Sequence, residues 1–206
     1  MRSGFFLALE GLDGAGKTTL AAGLKKSLVQ KGYDPICLKE PTSGQYGQKI
    51  REITRLGRPE SLSPEDELAL FINDRAYDVE NNINPALEGG KVVIIDRYIV
   101  SNLAYQGALG LPLDLILKAN QDFPWPDLTL VLTIVPSEGL DRVRKRGDLQ
   151  PAFERVDYLQ SVKAVFDRLD ALSLKNIFFI DAGKAARNLV REALLLINPL
   201  LPKPQS

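Results

Sequence analysis

"LALEGLDGAGKTTL", residues 7–20, runs from an apolar stretch into glycines, one lysine and two threonines. Within it Gly11, Leu12, Asp13, Gly14, Ala15, Gly16, Lys17 and Thr18 fit the spacing G-x-x-x-x-G-K-[ST], and Thr19 leads on into a helical pattern. A β-rich run before the glycines and a helix after them put the loop at a positive helix end, where backbone N–H groups converge on phosphate oxygens. Glycine is needed because side chains obstruct that approach. On this reading Gly11 through Thr19 cradle a nucleotide's phosphates. Lys17 reaches the outer two, and the Thr18 hydroxyl holds Mg2+. Asp13 fits poorly, because a carboxylate facing a triphosphate repels it. It must point elsewhere, either to a sugar hydroxyl of a second ligand or into solvent.

The rest of the chain supplies the scaffold this loop requires. Apolar β-rich runs recur at "FFLALE", "PICLKE", "VVIID", "LTLVLTIV" and "NIFFID", with segments of helical period between them. Strands alternating with helices predict an α/β fold, a three-layer sandwich around a five-stranded parallel sheet, its continuously apolar strands covered on both faces. Ligands then belong at the carboxyl ends of the strands. The first helix is expected from about Lys17 to Gln30, with Gly32 as a left-handed cap. Residues 42–90 form a long insertion of two helical stretches broken at "GRPESLSP", where Ser63 caps the second and Pro64, Asp66 and Glu67 occupy its first turn. At 206 residues and 45% apolar content the chain suits a single domain, residues 1–206, with residues 199–206 as a flexible tail.

Composition narrows the chemistry. Lys plus Arg and Asp plus Glu both total 26, so no general field draws the chain to nucleic acid or to an acidic membrane surface. The absence of histidine excludes serine–histidine triads and histidine-ligated zinc. Cys37 stands alone, which excludes an internal disulfide and is expected of a small buried hydrophobe in a cytoplasmic protein. No apolar run has the length of a signal peptide or a membrane span.

A second cluster lies at "VVIIDRY", where a buried strand ends in Asp96, Arg97 and Tyr98. Asp96 is a candidate for positioning Mg2+ and Arg97 for gripping a phosphate, with a surface ion pair as the rival reading. If a helix follows, Arg97, Ser101 and Tyr105 share a face, flanked by Asn102 and Gln106, groups suited to reading the edge of a flat heterocycle. In the insertion Leu68, Ile72, Ala76, Val79, Ile83 and Leu87 form a core stripe, and Phe71 and Arg75 fall beside it. Those two could stack on a base and bond its carbonyl, although Phe71 also reads as core. Arg51 is a phosphate contact or a solvated helix charge. Arg142, Arg144, Lys145 and Arg146 make either a mobile anion grip or a solvated helix end.

"ALEGLDGAGKTTL", "KEPTSGQYGQKIREI", "LALFINDRAYDVENNINPALEGGKVVIIDRYIVSNLAYQGALG" and "PDLTLVLTIV" together resemble the thymidylate kinase family over nearly the whole chain. The resemblance implies transfer of the ATP γ-phosphoryl group to dTMP by a P-loop nucleoside monophosphate kinase, with Mg2+, usually as a homodimer. By matching position it implies that Phe71 stacks on thymine, Arg75 bonds the base, Asn102 and Gln106 read its edge, and Tyr105 lies against the deoxyribose. Arg51 and Arg97 would hold the acceptor phosphate, with Asp13 and Glu40 near the sugar and metal-linked waters. Gly14 stands where some members carry an arginine, which resembles the type whose catalytic arginine comes from a lid, here residues 142–153. "RGDLQPAFE" lacks the acid–arginine pair common there, so Arg142, Arg146 and Arg155 all remain candidates. Catalysis is then expected from Lys17, Arg97, Arg142 and Arg146. A phosphate monoester has a second pKa near 6, so the acceptor is largely anionic at neutral pH and needs no general base, in keeping with a chain that has no histidine.

Overall fold

The structure, a computed structural model, describes residues 3–147, 156–172 and 174–203. Strands β1 (Phe5–Gly11), β2 (Pro35–Lys39), β3 (Val92–Asp96), β4 (Leu128–Thr133) and β5 (Ile177–Asp181) form one parallel sheet in the order β2-β3-β1-β4-β5. Side chains alternate across it, as strand geometry dictates. Leu7, Leu9, Ile94 and Leu130 pack on one side with Leu20, Leu24 and Leu28 of α1 (Lys17–Gln30). Phe6, Ala8, Val93 and Ile95 pack on the other with Val79, Ile83 and Leu87. The sandwich expected from the sequence is therefore present.

Coverage on both faces holds for β1 and β3, whose residues are all buried, but not at the sheet's margins. In β2 and β5 buried and exposed positions mix, because an edge strand has a neighbour on one side only. This corrects the expectation for Cys37, which is exposed on β2 rather than buried.

α1 ends at Gln30 with Lys31 as its C-cap, and Gly32 follows at φ 84° as expected. The insertion folds as α2 (Gln45–Leu56) and α3 (Pro64–Asp78), and the Ser63 hydroxyl accepts a hydrogen bond from the Asp66 N–H at 3.0 Å. α3 passes through a π-helical turn, Val79–Ile83, into α4 (Asn84–Glu88). That turn explains a second correction. The steps from Arg75 to Val79, Ile83 and Leu87 are four residues each, which would carry a 3.6-residue helix about 120° off its face; the wider turn absorbs the excess. The inward face accordingly carries Glu67, Leu68, Asp74, Arg75, Asp78 and Val79, while Ala76 is exposed. Arg75 thus lies on the buried face, not beside it.

The remaining helices are α5 (Ile99–Ala108), α6 (Leu113–Ala119), α7 (Pro136–Arg146), α8 (Val156–Phe166) and α9 (Ala186–Ile197). With Leu9 in register with Asp96 and Gly11 with Leu132, the phosphate loop, Glu40, Asp96 and Arg97 all gather at the carboxyl edge of the sheet.

Candidate active site

The loop after β1 is held by backbone geometry that only glycine adopts easily. Gly11, Gly14 and Gly16 have φ of 126°, 80° and 94°. A Cβ on Gly14 would meet the Gly139 carbonyl oxygen at 2.1 Å and one on Gly11 the Leu132 oxygen at 2.4 Å, whereas Gly16 has nothing within 4 Å. Two of these glycines are therefore required by the protein's own backbone as much as by any ligand. Helix α1 begins at Gly16 without a side-chain cap and without an acid in its first turn, which leaves its leading N–H groups available to an anion.

Lys17 is 6% exposed and folds back over the loop, donating to the carbonyls of Gly11 and Leu12 at 3.0 and 3.1 Å. Burial and then the Arg97 charge press its pKa down to about 8, against the opposing pull of Asp96, Asp13 and Glu10. The Thr18 hydroxyl donates to Asp96 Oδ2 at 2.8 Å. Asp96 Oδ1 is buried without a hydrogen-bond partner among the described residues, 3.9 Å from Lys17 Nζ. An orphaned carboxylate oxygen beside a hydroxyl is an oxygen donor set that fits Mg2+.

Arg97 turns the chain from β3 into α5 at φ 74°, a left-handed conformation rare outside glycine and a sign of functional constraint. Glu10, fully buried at the end of β1, anchors this turn. It accepts from the N–H groups of Tyr98 (2.9 Å) and Ser101 (3.1 Å) and from the Ser101 hydroxyl. Burial pushes the Glu10 carboxyl up, and these hydrogen bonds with the Arg97 charge oppose it. The Ser101 hydroxyl proton is thus committed to Glu10, although the residue still borders the cleft. Arg97 Nη2 meets Asp13 Oδ1 at 2.8 Å and the Tyr105 hydroxyl at 3.0 Å, and the guanidinium sits 4.8 Å from the Tyr105 ring centroid. Asp13 does turn away from the phosphate cradle, and its target is Arg97. Burial alone would raise the Asp13 pKa, but the Arg97 and Lys17 charges hold it well below the usual carboxylate range.

Next to this pair lies a buried polar wall. Arg75 is fully covered, its Nε and Nη2 directed at the Glu40 carboxylate and its Nη1 at the side-chain oxygens of Asn102 and Asn120. Its guanidinium also stacks 4.5 Å from the Tyr98 ring centroid. Of its five N–H donors, this leaves one on Nη2 for a ligand, far fewer than a free arginine would offer. Burial disfavours the Glu40 carboxylate and Arg75 partly offsets that cost. Beyond Arg75, the Asn102 amide donates to Gln106 Oε1 and the Gln106 amide to Glu67 Oε1, both at 3.2 Å. Glu67 Oε2 lies 3.1 Å from Arg58 Nε.

These groups form an open-mouthed cavity of about 250 Å³ lined by Asp13, Glu40, Arg51, Phe71, Arg75 and Arg97, together with Ser101, Asn102, Tyr105 and Gln106. Every acceptor-side candidate read from the sequence is therefore brought to one place. Arg51 is steered there by donating to the Pro41 carbonyl at 3.0 Å and to that of Thr42. Phe71 and Gln106 also border an adjoining cavity of about 400 Å³ that contains Arg58, Glu67, Asp157 and Tyr158.

A third cavity, about 390 Å³, lies on the far side of the loop between Gly14, Gly16, Thr19, Ala182 and Leu189. Arg142 and Arg146 line it from α7, and Arg142 donates to the Ala182 carbonyl at 3.1 Å. The structure therefore groups these arginines with the outer face of the phosphate loop and not with Arg97. The lid expected at 142–153 is described only up to Gly147, which caps α7 in a left-handed conformation; residues 148–153 and Arg155 lie outside the described residues.

Sequence reasoning missed Glu10, Glu67, Arg58 and Asn120. Glu10 had a signal, an acid inside an otherwise apolar strand. Glu67 was read only as a helix-dipole partner, and Asn120 sits 45 residues from Arg75 with no local mark.

A phosphate loop opening one helix, with a polar and aromatic cavity beside it and an arginine between, defines an ATP-dependent phosphotransferase acting on a second small nucleotide. Comparison with known proteins agrees. The family model described as thymidylate kinase matches residues 9–193. A thymidylate kinase of Xanthomonas campestris pv. campestris (strain B100) is 46% identical over 190 residues, 92% of this chain and 81% of that protein. A probable thymidylate kinase of Archaeoglobus fulgidus is 43% identical over 197 residues, 95% of both chains. The chain belongs to the thymidylate kinase family of nucleoside monophosphate kinases.

Proposed function

We propose that the protein transfers the γ-phosphoryl group of ATP to dTMP, giving dTDP and ADP, a step towards dTTP. The observation that carries this reading is the Arg97 guanidinium, poised by Asp13 and Tyr105 between the phosphate loop and the neighbouring cavity. A protein that only hydrolysed ATP would have no use for that cavity.

In this reading the loop amides and Lys17 take the β- and γ-phosphates, and Arg97 and Arg51 take the acceptor phosphate. Two polyanions repel, so the residues' main work is to cancel charge and align the groups in line. Phe71 offers a ring face to the base, and the free Arg75 donor with Asn102 and Gln106 meets its edge. Tyr105 lies against the sugar, disfavouring a 2′-hydroxyl, and Glu40 braces Arg75. Arg142 and Arg146 approach ATP from the outer face of the loop. Thr18 and Asp96 would hold Mg2+, which when bound neutralises phosphate charge. A homodimer belongs to the same reading, supported by family membership and tested by sedimentation. Among the described residues no helix is long and apolar enough to cross a membrane.

The test is ADP release from Mg-ATP with and without dTMP, extended to a panel of deoxynucleoside monophosphates and nucleosides. ADP release that depends on dTMP and exceeds that with the other acceptors is expected, with dUMP partly accepted because one methyl group is worth roughly 1–3 kcal/mol. Release indifferent to dTMP would point to a nucleotide-driven switch.

A further inference from the structure

Arg75, Asn102, Gln106 and Glu67 form a chain of hydrogen bonds whose direction is dictated by its two ends. Arginine has only donors, so Asn102 must turn its oxygen to Arg75. That turns the Asn102 amino group to Gln106, which must answer with its own oxygen. The Gln106 amino group is then left for Glu67, an acceptor on both oxygens when ionised. Arg58 faces the other Glu67 oxygen as an ion pair, Nε to Oε2 3.1 Å but without hydrogen-bond geometry, and its Nη2 is fixed by donating to the Leu62 carbonyl at 2.8 Å. Asn102 and Gln106 are each 1% exposed, so neither amide can satisfy itself with bulk water if it reverses.

We infer that Glu67 is a positioning residue for base selection: it fixes the Gln106 amide, and through it Asn102, so that the cavity presents one donor and acceptor pattern to the pyrimidine edge. Thymine carries an oxygen acceptor at C4 where cytosine carries an amino donor, so the two bases demand opposite patterns. A pair of amides free to reverse would serve both. Held between an arginine and a glutamate, they serve one. The inference rests on the proposed dTMP kinase activity and names what enforces its choice of base.

Three variants test it, with wild type as reference. Glu67→Met fills the space without an acceptor, Glu67→Gln restores an acceptor without the charge, and Glu67→Asp keeps the charge but withdraws it by one methylene. Initial rates are measured against dTMP, dCMP and ATP, and a thermal melt checks folding. In Glu67→Met the KM for dTMP should rise about tenfold and the kcat/KM preference for dTMP over dCMP should fall about tenfold, the scale of leaving one buried amide donor without an acceptor. The KM for ATP should stay within about twofold. Glu67→Gln should recover most of both losses, and Glu67→Asp should not. A folded Glu67→Met enzyme with unchanged KM and unchanged preference overturns the inference. So does a Glu67→Gln enzyme as impaired as Glu67→Met, because the charge facing Arg58 would then be what matters. If Glu67→Met fails to fold, the contrast between Glu67→Gln and Glu67→Asp decides alone. A wild type inactive on dTMP would sink the proposed substrate, and the same contrast on the pyrimidine monophosphate it does accept would still judge Glu67.

Discussion

Arg97 and Asp13, 84 residues apart in the chain, meet at 2.8 Å across the floor of the cleft. The loop that cradles one nucleotide thereby braces the arginine that faces the other. Arg97→Ala should cut kcat by about 10²–10³-fold, the scale of losing one preorganised charge. The KM for ATP should change by no more than about threefold. Steady-state kinetics with both substrates varied provides the check, and near-wild-type turnover would remove Arg97 from the reacting groups.

Lys17 supplies a pH dependence. Its pKa is held down to about 8, chiefly by burial and then by Arg97. ATP prefers the charged form, so binding should take up a proton near this pH. Affinity should weaken as pH rises above about 8, approaching tenfold per unit. Without nucleotide the sign runs the other way for stability. Between about 8 and the ordinary lysine value of 10.5 the unfolded chain holds the extra proton, so this group's contribution rises with pH across that window. Calorimetry in buffers of different ionisation enthalpy reads the proton uptake directly; uptake of zero would contradict the depressed pKa.

Gly14 and Gly16 should respond differently to the same substitution. Gly14→Ala drives a Cβ to 2.1 Å from the Gly139 carbonyl as well as straining φ, whereas Gly16→Ala meets nothing within 4 Å and bears the φ strain alone. The Gly14 variant should lose about 1–3 kcal/mol more than the Gly16 variant, the usual cost of overpacking. Paired thermal melts reveal the gap, and equal melting temperatures would mean that the contact with α7 relaxes freely.

Glu10 should matter to stability and turnover together. Glu10→Ala would take the acceptor from the buried Tyr98 N–H and from the Ser101 hydroxyl, while the Ser101 N–H keeps the Tyr98 carbonyl at 3.1 Å, at a cost of about 3 kcal/mol. It would also release the left-handed turn that aims Arg97, so kcat should fall. Glu10→Gln keeps an acceptor and should lose less of both. Denaturant unfolding run beside kinetics separates the effects; a destabilised variant with wild-type kcat would confine Glu10 to the fold.

Much of the architecture could be read locally. The phosphate loop, α1 ending by Gly32, the Ser63 cap and the run of β3 all follow from residues within a few positions of one another, because capping, glycine conformation and hydrophobic period act over that range. The face of α3 could not be read in the same way. A π turn shifted the period, and a fully buried arginine looks, in sequence, like any surface charge until its partners are known.

By itself, then, the amino-acid order determined that a phosphate-binding loop opens a helix on a parallel sheet, and which side chains were available to face it. Only the tertiary structure decided that Asp13 faces Arg97, that Glu10 holds the α5 turn, and that Glu67 closes the chain of amides begun at Arg75. Those pairings join groups 39 to 91 residues apart, and they exist because the strand order β2-β3-β1-β4-β5 brings separate chain segments to one edge, where buried charges must find partners or not be buried.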